Sequence, residues 1–267
     1  MIRVGVIQIN TASSKEENLQ KIDMYVAQAA KENCHLVAFP ELFNCMVKKD
    51  LMKENSEDQH GPTCLHLQEL AKKYSLYILG GSMLYINDSL DLPQNRSFFY
   101  GPQGDLLANY AKIHLFDIDI PGKVTHYESQ RITPGDEVVS VETPLGHIGL
   151  SICYDLRFPE LFSRLRNKGA QIIMLPAAFT YQTGKSHWDI LIRARAIETQ
   201  TFVIAPNQCG KLPIGIEAYG HSMICDPWGN VLAQAGEDEG IIFADLDMDY
   251  LQKVRSEMPV WNHKRLN

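Results

Sequence analysis

Gly149-Leu150-Ser151-Ile152-Cys153-Tyr154-Asp155 is the stretch on which the reading turns. The run from His147 to Cys153 reads as a strand, and Phe158-Pro159 opens a helix that continues to Lys168. A strand that ends on a cysteine just before a helix places the thiol where open α/β sheets hold their reactive groups. A sharp strand-to-helix turn also leaves backbone N–H groups free to receive an oxyanion. The competing reading makes Cys153 a small buried hydrophobe at a strand end.

Outward from this unit, strand and helix signals alternate in both directions. Downstream come a strand over Ala170–Leu175, a helix over Ser186–Gln200 and a strand over Phe202–Ala205. A hairpin follows, Tyr219–Cys225 and Val231–Ala235 about the turn Asp226-Pro227-Trp228-Gly229-Asn230. Upstream, Val4–Ile9 alternates as a strand, and Ser13-Glu16 or Ser14-Glu17 forms a capping box for a helix ending near Asn33. His35–Phe39 is a short apolar strand, Thr63–Tyr74 an amphipathic helix, and Leu76–Leu79 a strand. Arg96–Tyr100 and Leu106–Ile113 pair as a hairpin about Gly101-Pro102-Gln103-Gly104. The two halves repeat one order, β-α-β units and then a hairpin, so two sheets with helices on their outer faces are expected. No linker interrupts the chain, and 1–267 reads as one domain. The segment 115–137 has no clean period and reads as a long functional loop.

The bulk composition excludes several classes. At 267 residues, 45% hydrophobic and 21% charged, the chain is that of an ordinary globular enzyme. A formal charge of −7 gives no pull toward nucleic acid. No apolar run reaches the roughly 18 residues that span a bilayer. Met1–Ile9 is too short and too alternating for a signal segment, so a cytoplasmic location is expected. The six cysteines are scattered with no C-x-x-C, as free thiols in a reducing compartment would be. The sequons at Asn87 and Asn95 then carry no meaning. His60, Cys64 and His66 lie close together but lack a second ligand pair at zinc spacing, and no phosphate-binding glycine motif occurs.

Two further positions invite chemistry. Glu41 directly follows the buried strand at Phe39-Pro40, where partial desolvation would raise its pKa toward useful base strength. Its alternative is a surface cap or ion pair. Lys112 sits within the strand ending at Ile113 and precedes the long loop, so it can point into a cleft or out to water. Neighbouring His114 offers a Cys–His dyad with Cys153, a pairing of little specificity among nine histidines.

Taken in order, Phe39-Pro40-Glu41, Tyr110-Ala111-Lys112-Ile113-His114 and Ile152-Cys153-Tyr154-Asp155-Leu156-Arg157-Phe158 resemble the three signatures of the nitrilase superfamily of carbon–nitrogen hydrolases. Arg193–Gln200, Tyr219-Gly220-His221-Ser222 and Asp226-Pro227-Trp228-Gly229 are similar to it too. The resemblance implies a four-layer αββα sandwich of two pseudo-symmetric halves, a homodimer or larger homo-oligomer, and a Glu41–Lys112–Cys153 triad without cofactor or metal. It further implies a second glutamate at Glu128, and substrate contacts at Tyr154, Arg157 and Ala178. Cys-Tyr-Asp-Leu-Arg-Phe resembles the Nit amidase branch, the ω-amidases and deaminated-glutathione amidases. A small carboxylate-bearing amide is then the expected substrate. Arg157 suits its carboxylate, unless it pairs with Asp155. Lys112–Gly122 is ω-amidase-like, whereas Gln208-Cys209-Gly210 and the segment after Asn44 are closer to deaminated-glutathione amidases. An N-carbamoyl hydrolase or nitrilase, or an idle scaffold of the same fold, are the alternatives.

Overall fold

The computed structural model describes residues 1–120 and 124–266. The first half runs β1 (Ile2–Gln8), α1 (Lys15–Lys31), β2 (Leu36–Ala38), α2 (Pro62–Tyr74), β3 (Tyr77–Leu79), β4 (Met83–Tyr85), β5 (Gln94–Tyr100) and β6 (Leu106–Ala111). A hairpin of β7 (Asp117–Ile120) and β8 (Val124–Tyr127) follows. The second half runs β9 (Ser140–Thr143), β10 (Gly146–Leu150), α3 (Pro159–Asn167), β11 (Ile172–Met174), α4 (Tyr181–Thr199) and β12 (Phe202–Ala205). It continues through β13 (Cys209–Lys211), β14 (Glu217–Tyr219), β15 (Met223–Cys225), β16 (Val231–Gln234), β17 (Gly240–Leu246) and α5 (Met248–Glu257).

Sequence periodicity explains most of these elements. Ser14 caps α1 by accepting from the Glu17 N–H at 3.3 Å, which settles the choice between the two serines. Pro62 and Pro159 occupy the first turns of α2 and α3, where a missing N–H does no harm. Expected boundaries moved in four places. Lys112 lies one residue beyond β6 rather than inside it. The segment 115–137 carries the β7–β8 hairpin, although Pro121 and Gly122 lie outside the described residues. Helix α4 starts at Tyr181, five residues before Ser186. Tyr219–Cys225 is two strands, because Gly220 and His221 both take positive φ (70° and 55°) and turn the chain between β14 and β15.

The two halves build two sheets with matching order. In one, β1, β2 and β3 are parallel and β5 lies antiparallel beside β3. In the other, β10, β11 and β12 are parallel and β15 lies antiparallel beside β12. Each parallel edge is closed by an antiparallel strand, β17 beside β1 and β9 beside β10. Val4, Val6, Leu36, Ala38, Leu79 and Phe99 share one core with Ile148, Leu150, Ile172 and Met174, so the sheets pack face to face. Their outer faces meet helices. Val37, Phe39 and Ile78 pack with Ile22 and Val26 of α1 and Leu67 of α2, and the second sheet packs with Phe162 of α3 and Trp188 of α4. The result is the expected αββα sandwich. A Cβ on Gly149 would stand 3.1 Å from Leu165 Cδ2 of α3, tighter than side chains normally pack. Gly149 thus lets α3 settle closely onto β10. Among the described residues, no helix is long and apolar enough to cross a membrane.

Candidate active site

The site forms where strand ends of both sheets converge. Leaving β2, Phe39 and Pro40 carry the chain to Glu41, which is only 4% exposed. Its Oε1 accepts from Lys112 Nζ at 2.9 Å and from Asn95 Nδ2 at 2.8 Å, and its Oε2 accepts from the Ala178 N–H at 2.9 Å. The Glu41 carbonyl accepts from Gln208 Nε2 at 2.9 Å, a tie from the opposite half. Lys112, just past β6, is buried and also donates to Glu128 Oε2 at 2.9 Å. Glu128 in turn accepts from the Phe116 N–H at 2.6 Å, which fixes it at the foot of the β7–β8 hairpin. One ammonium therefore faces two carboxylates. Burial works against its charge, yet Glu128 and Glu41 outweigh that and hold the Lys112 pKa well above the ordinary lysine value.

Cys153 follows β10 at the start of a short helical turn over Cys153–Arg157. Its backbone is left-handed (φ 46°), an uncommon state for a residue with a Cβ, and its N–H donates to the Pro176 carbonyl at 2.8 Å. Burial, first, and then the neighbouring Glu41 carboxylate push the thiol pKa well above its ordinary value, with Lys112 partly opposing them. Beneath the turn, Asp155 is fully buried and serves as a brace. Its Oδ2 accepts from the Ile152 N–H at 2.8 Å and from Tyr110 Oη at 2.7 Å. Its Oδ1 accepts from the His114 N–H at 3.1 Å and contacts His114 Nδ1 at 2.7 Å. The brace joins the cysteine turn to the strand end that carries Lys112.

Two lobes of one pocket meet at Cys153, sharing Phe116, Ala178 and Thr180. The larger, about 420 Å³, takes in Glu41, Lys112 and Glu128. The narrower, about 20 Å³, takes in Tyr154, Arg157, Phe179 and Thr183. Every expected site residue thus lines this pocket: Glu41, Lys112, Glu128 and Cys153, with Tyr154, Arg157 and Ala178. Two pairings expected as alternatives do not form. His114 serves Asp155 and stacks on Phe158 with ring centroids 3.7 Å apart, so it is no dyad partner for Cys153. Arg157 makes no ion pair with Asp155. It contacts His187 Nδ1 at 3.2 Å and lies over the Tyr154 and Phe179 rings.

A carbon–nitrogen hydrolase family model matches residues 3–256. The chain belongs to the carbon–nitrogen hydrolase family, the nitrilase superfamily. This carbon–nitrogen hydrolase is 40% identical over 274 residues to the deaminated glutathione amidase of Dictyostelium discoideum, covering 99% of the chain and 94% of the relative. It is 38% identical over 263 residues to the omega-amidase NIT2 of Homo sapiens, covering 98% and 95%. Among solved structures it resembles the C. elegans NitFhit protein at a TM-score of 0.91 and 37% identity, covering 99% of this chain and 65% of that one.

Some residues that shape the hydrolase pocket carried no signal in the sequence. Asn95 looked like a meaningless sequon, yet it is 1% exposed and bonds Glu41. Met52 and Ile214 line the large lobe from segments with no recognisable motif, and Met46 and His126 line it from segments noted only for their family likeness. His126 shares a short stretch with Glu128, the only hint available. Burial, more than any neighbouring charge, lowers its pKa below the ordinary histidine value.

Proposed function

We propose that the chain hydrolyses the C–N bond of a small carboxylate-bearing amide through a thioester on Cys153. The observation that carries this reading is the convergence of Glu41, Lys112 and Cys153 on one cavity, with Glu41 joined to Lys112 at 2.9 Å. The raised thiol pKa means that Cys153 rests protonated and needs a base at the moment of attack. Glu41 takes that proton as Sγ bonds to the amide carbon. The carbonyl oxygen becomes an oxyanion facing the Lys112 ammonium and the Tyr154 N–H, which stands in a first turn that offers it no helical acceptor. Glu41 then gives its proton to the nitrogen, the C–N bond breaks, and ammonia or an amine leaves. Water attacks the thioester with Glu41 as base, releasing the carboxylate product and restoring the thiol. Glu128 and Asn95 hold Lys112 and Glu41 in place. Arg157, whose planar fork suits a carboxylate, receives the acid group of the substrate. Relatives named for ω-amide and for deaminated-glutathione hydrolysis support this substrate class.

Within the same reading the chain acts as one domain, in the cytoplasm, as a homodimer or larger homo-oligomer. Exposed Ile197, Trp228 and Leu232 on α4 and the β15–β16 hairpin support assembly. The test is ammonia or amine release from α-ketoglutaramate, succinamate, deaminated glutathione, an N-carbamoyl amino acid and a nitrile. Turnover of a carboxylate-bearing amide, reduced about 10⁴-fold or more in Cys153→Ala, is expected. Turnover of the carbamoyl compound or nitrile alone moves the assignment to those reactions, and none at all overturns it.

A further inference from the structure

The two lobes meeting at Cys153 are chemically unequal. The nitrogen that departs must lie within reach of the acid that protonates it. In the reaction proposed above, on which this inference rests, that acid is Glu41. Glu41 and Lys112 line the large lobe and not the narrow one, whereas Arg157 lines the narrow one and not the large. The acyl chain therefore extends toward Arg157, and whatever the nitrogen carries extends into the large lobe. Ammonia would leave that lobe, about 420 Å³, unfilled.

Its walls describe an occupant. Met46 and Met52 on one side, and Leu212, Ile214 and Ile216 on the loop between β13 and β14, give it an apolar body. Met46 and Leu212 are buried in one small cluster with Ala218, so this wall is built into the fold. Lys48 and Lys49 are exposed and also line the lobe, and neither forms an ion pair among the described residues, although Asp50 stands beside them. We propose that the preferred substrates are secondary amides whose leaving amine has an apolar body and a terminal carboxylate, in chemical terms an N-acylated apolar amino acid. The apolar wall takes the side chain and Lys48 and Lys49 take the carboxylate. Burying a few carbons in such a pocket is worth about tenfold or more in discrimination.

The experiment compares kcat/KM for succinamate, N-isobutylsuccinamate and N-succinyl-leucine, following ammonia, isobutylamine and leucine. In the wild type, N-succinyl-leucine is expected to exceed succinamate by about tenfold or more. Ile216→Asp is expected to cut that ratio by about tenfold. The double variant Lys48→Ala/Lys49→Ala is expected to cut it about threefold, without changing the ratio of the N-isobutyl amide to succinamate, since isobutylamine carries no carboxylate for the lysines to meet. Hydrolysis of succinamate with a wild-type ratio near or below one overturns the inference and leaves the reaction standing. Silence on all three amides counts against the reaction instead, and calorimetry of N-succinyl-leucine on Cys153→Ala then decides the lobe. Binding weakened about tenfold by Ile216→Asp upholds it, and absent or unaffected binding overturns it.

Discussion

The end of β2, with the chain just past β6, and the end of β10 face each other across the pocket, and they differ in kind. The first region holds Glu41, Lys112 and the neutral Asn95, and with Glu128 it is a network in which each charge is met by a partner within 2.9 Å. The second holds a neutral, buried thiol on a left-handed turn, a backbone state worth about 1–2 kcal/mol of strain for a residue that is not glycine. In the proposed reaction one region moves protons and the other aims an atom. Neither suffices alone. In that reaction the thiol ionises by passing its proton to the neighbouring Glu41 carboxylate.

This contrast can be broken from the first region with the largest effect. Lys112→Met removes the cation between two buried carboxylates. We expect kcat to fall about 10³-fold with loss of oxyanion stabilisation, and unfolding free energy to fall by about 3–5 kcal/mol as Glu41 and Glu128 are left facing each other. Steady-state kinetics and urea titration check both, and a variant of unchanged stability would show that Lys112 does not hold the two carboxylates together.

From the second region the expected effect is smaller. Asp155→Asn keeps the size of the brace but replaces one acceptor oxygen with an NH2 donor, which meets the donors of Ile152, Tyr110 and His114. A kcat loss of about 10–100-fold is expected with little change in KM, alongside roughly 2–3 kcal/mol of stability. A shift in KM alone would show that Asp155 does not aim Cys153.

How far these regions were legible beforehand follows from what each depends on. Glu41 and Cys153 end apolar runs, Leu36–Phe39 and His147–Ile152, and a run that stops at a reactive residue is visible in one dimension. The brace is not visible, because Asp155, His114 and Tyr110 meet only when two sheets stack. The same holds for Asn95. Among the elements, the repeated β-α-β order was readable from alternation and helix caps. Strand β9 was not, since none of its residues is buried and no periodic signal results. Strand β17 has one fully buried side chain, Leu246, and owes its place to seven pairings with β1 across nearly the whole sequence. The β7–β8 hairpin is only four residues long on each side and flanks residues outside the description.

The smallest expected effect sharpens the contrast by setting Cys153 against the other thiols. Burial raises the pKa of Cys34 and Cys64 to about 11, and that of Cys209 and Cys225 to about 12, from an ordinary 9.0. A thiol harder to ionise in the folded chain holds its proton there while the unfolded chain releases it. Its contribution is therefore complete below pH 9 and declines as pH rises toward 11–12, by up to about 1.4 kcal/mol per pH unit for each group. Urea midpoints measured at pH 8 and pH 10.5 should fall by an amount that shrinks when Cys225→Ala and Cys64→Ala are introduced. Alkylation at neutral pH should still reach Cys153 first, the one thiol that lines the pocket.

The pairing of β1 with β17, from Ile2 opposite Leu246 to Gln8 opposite Gly240, also bears on how the molecule is made. A nascent chain leaves the ribosome with its leading strand long before the partner of that strand exists. The first half therefore waits with one side of β1 unpaired, while β9 to β12 can assemble as soon as they emerge. Strand β17 then closes the sheet that β1 began.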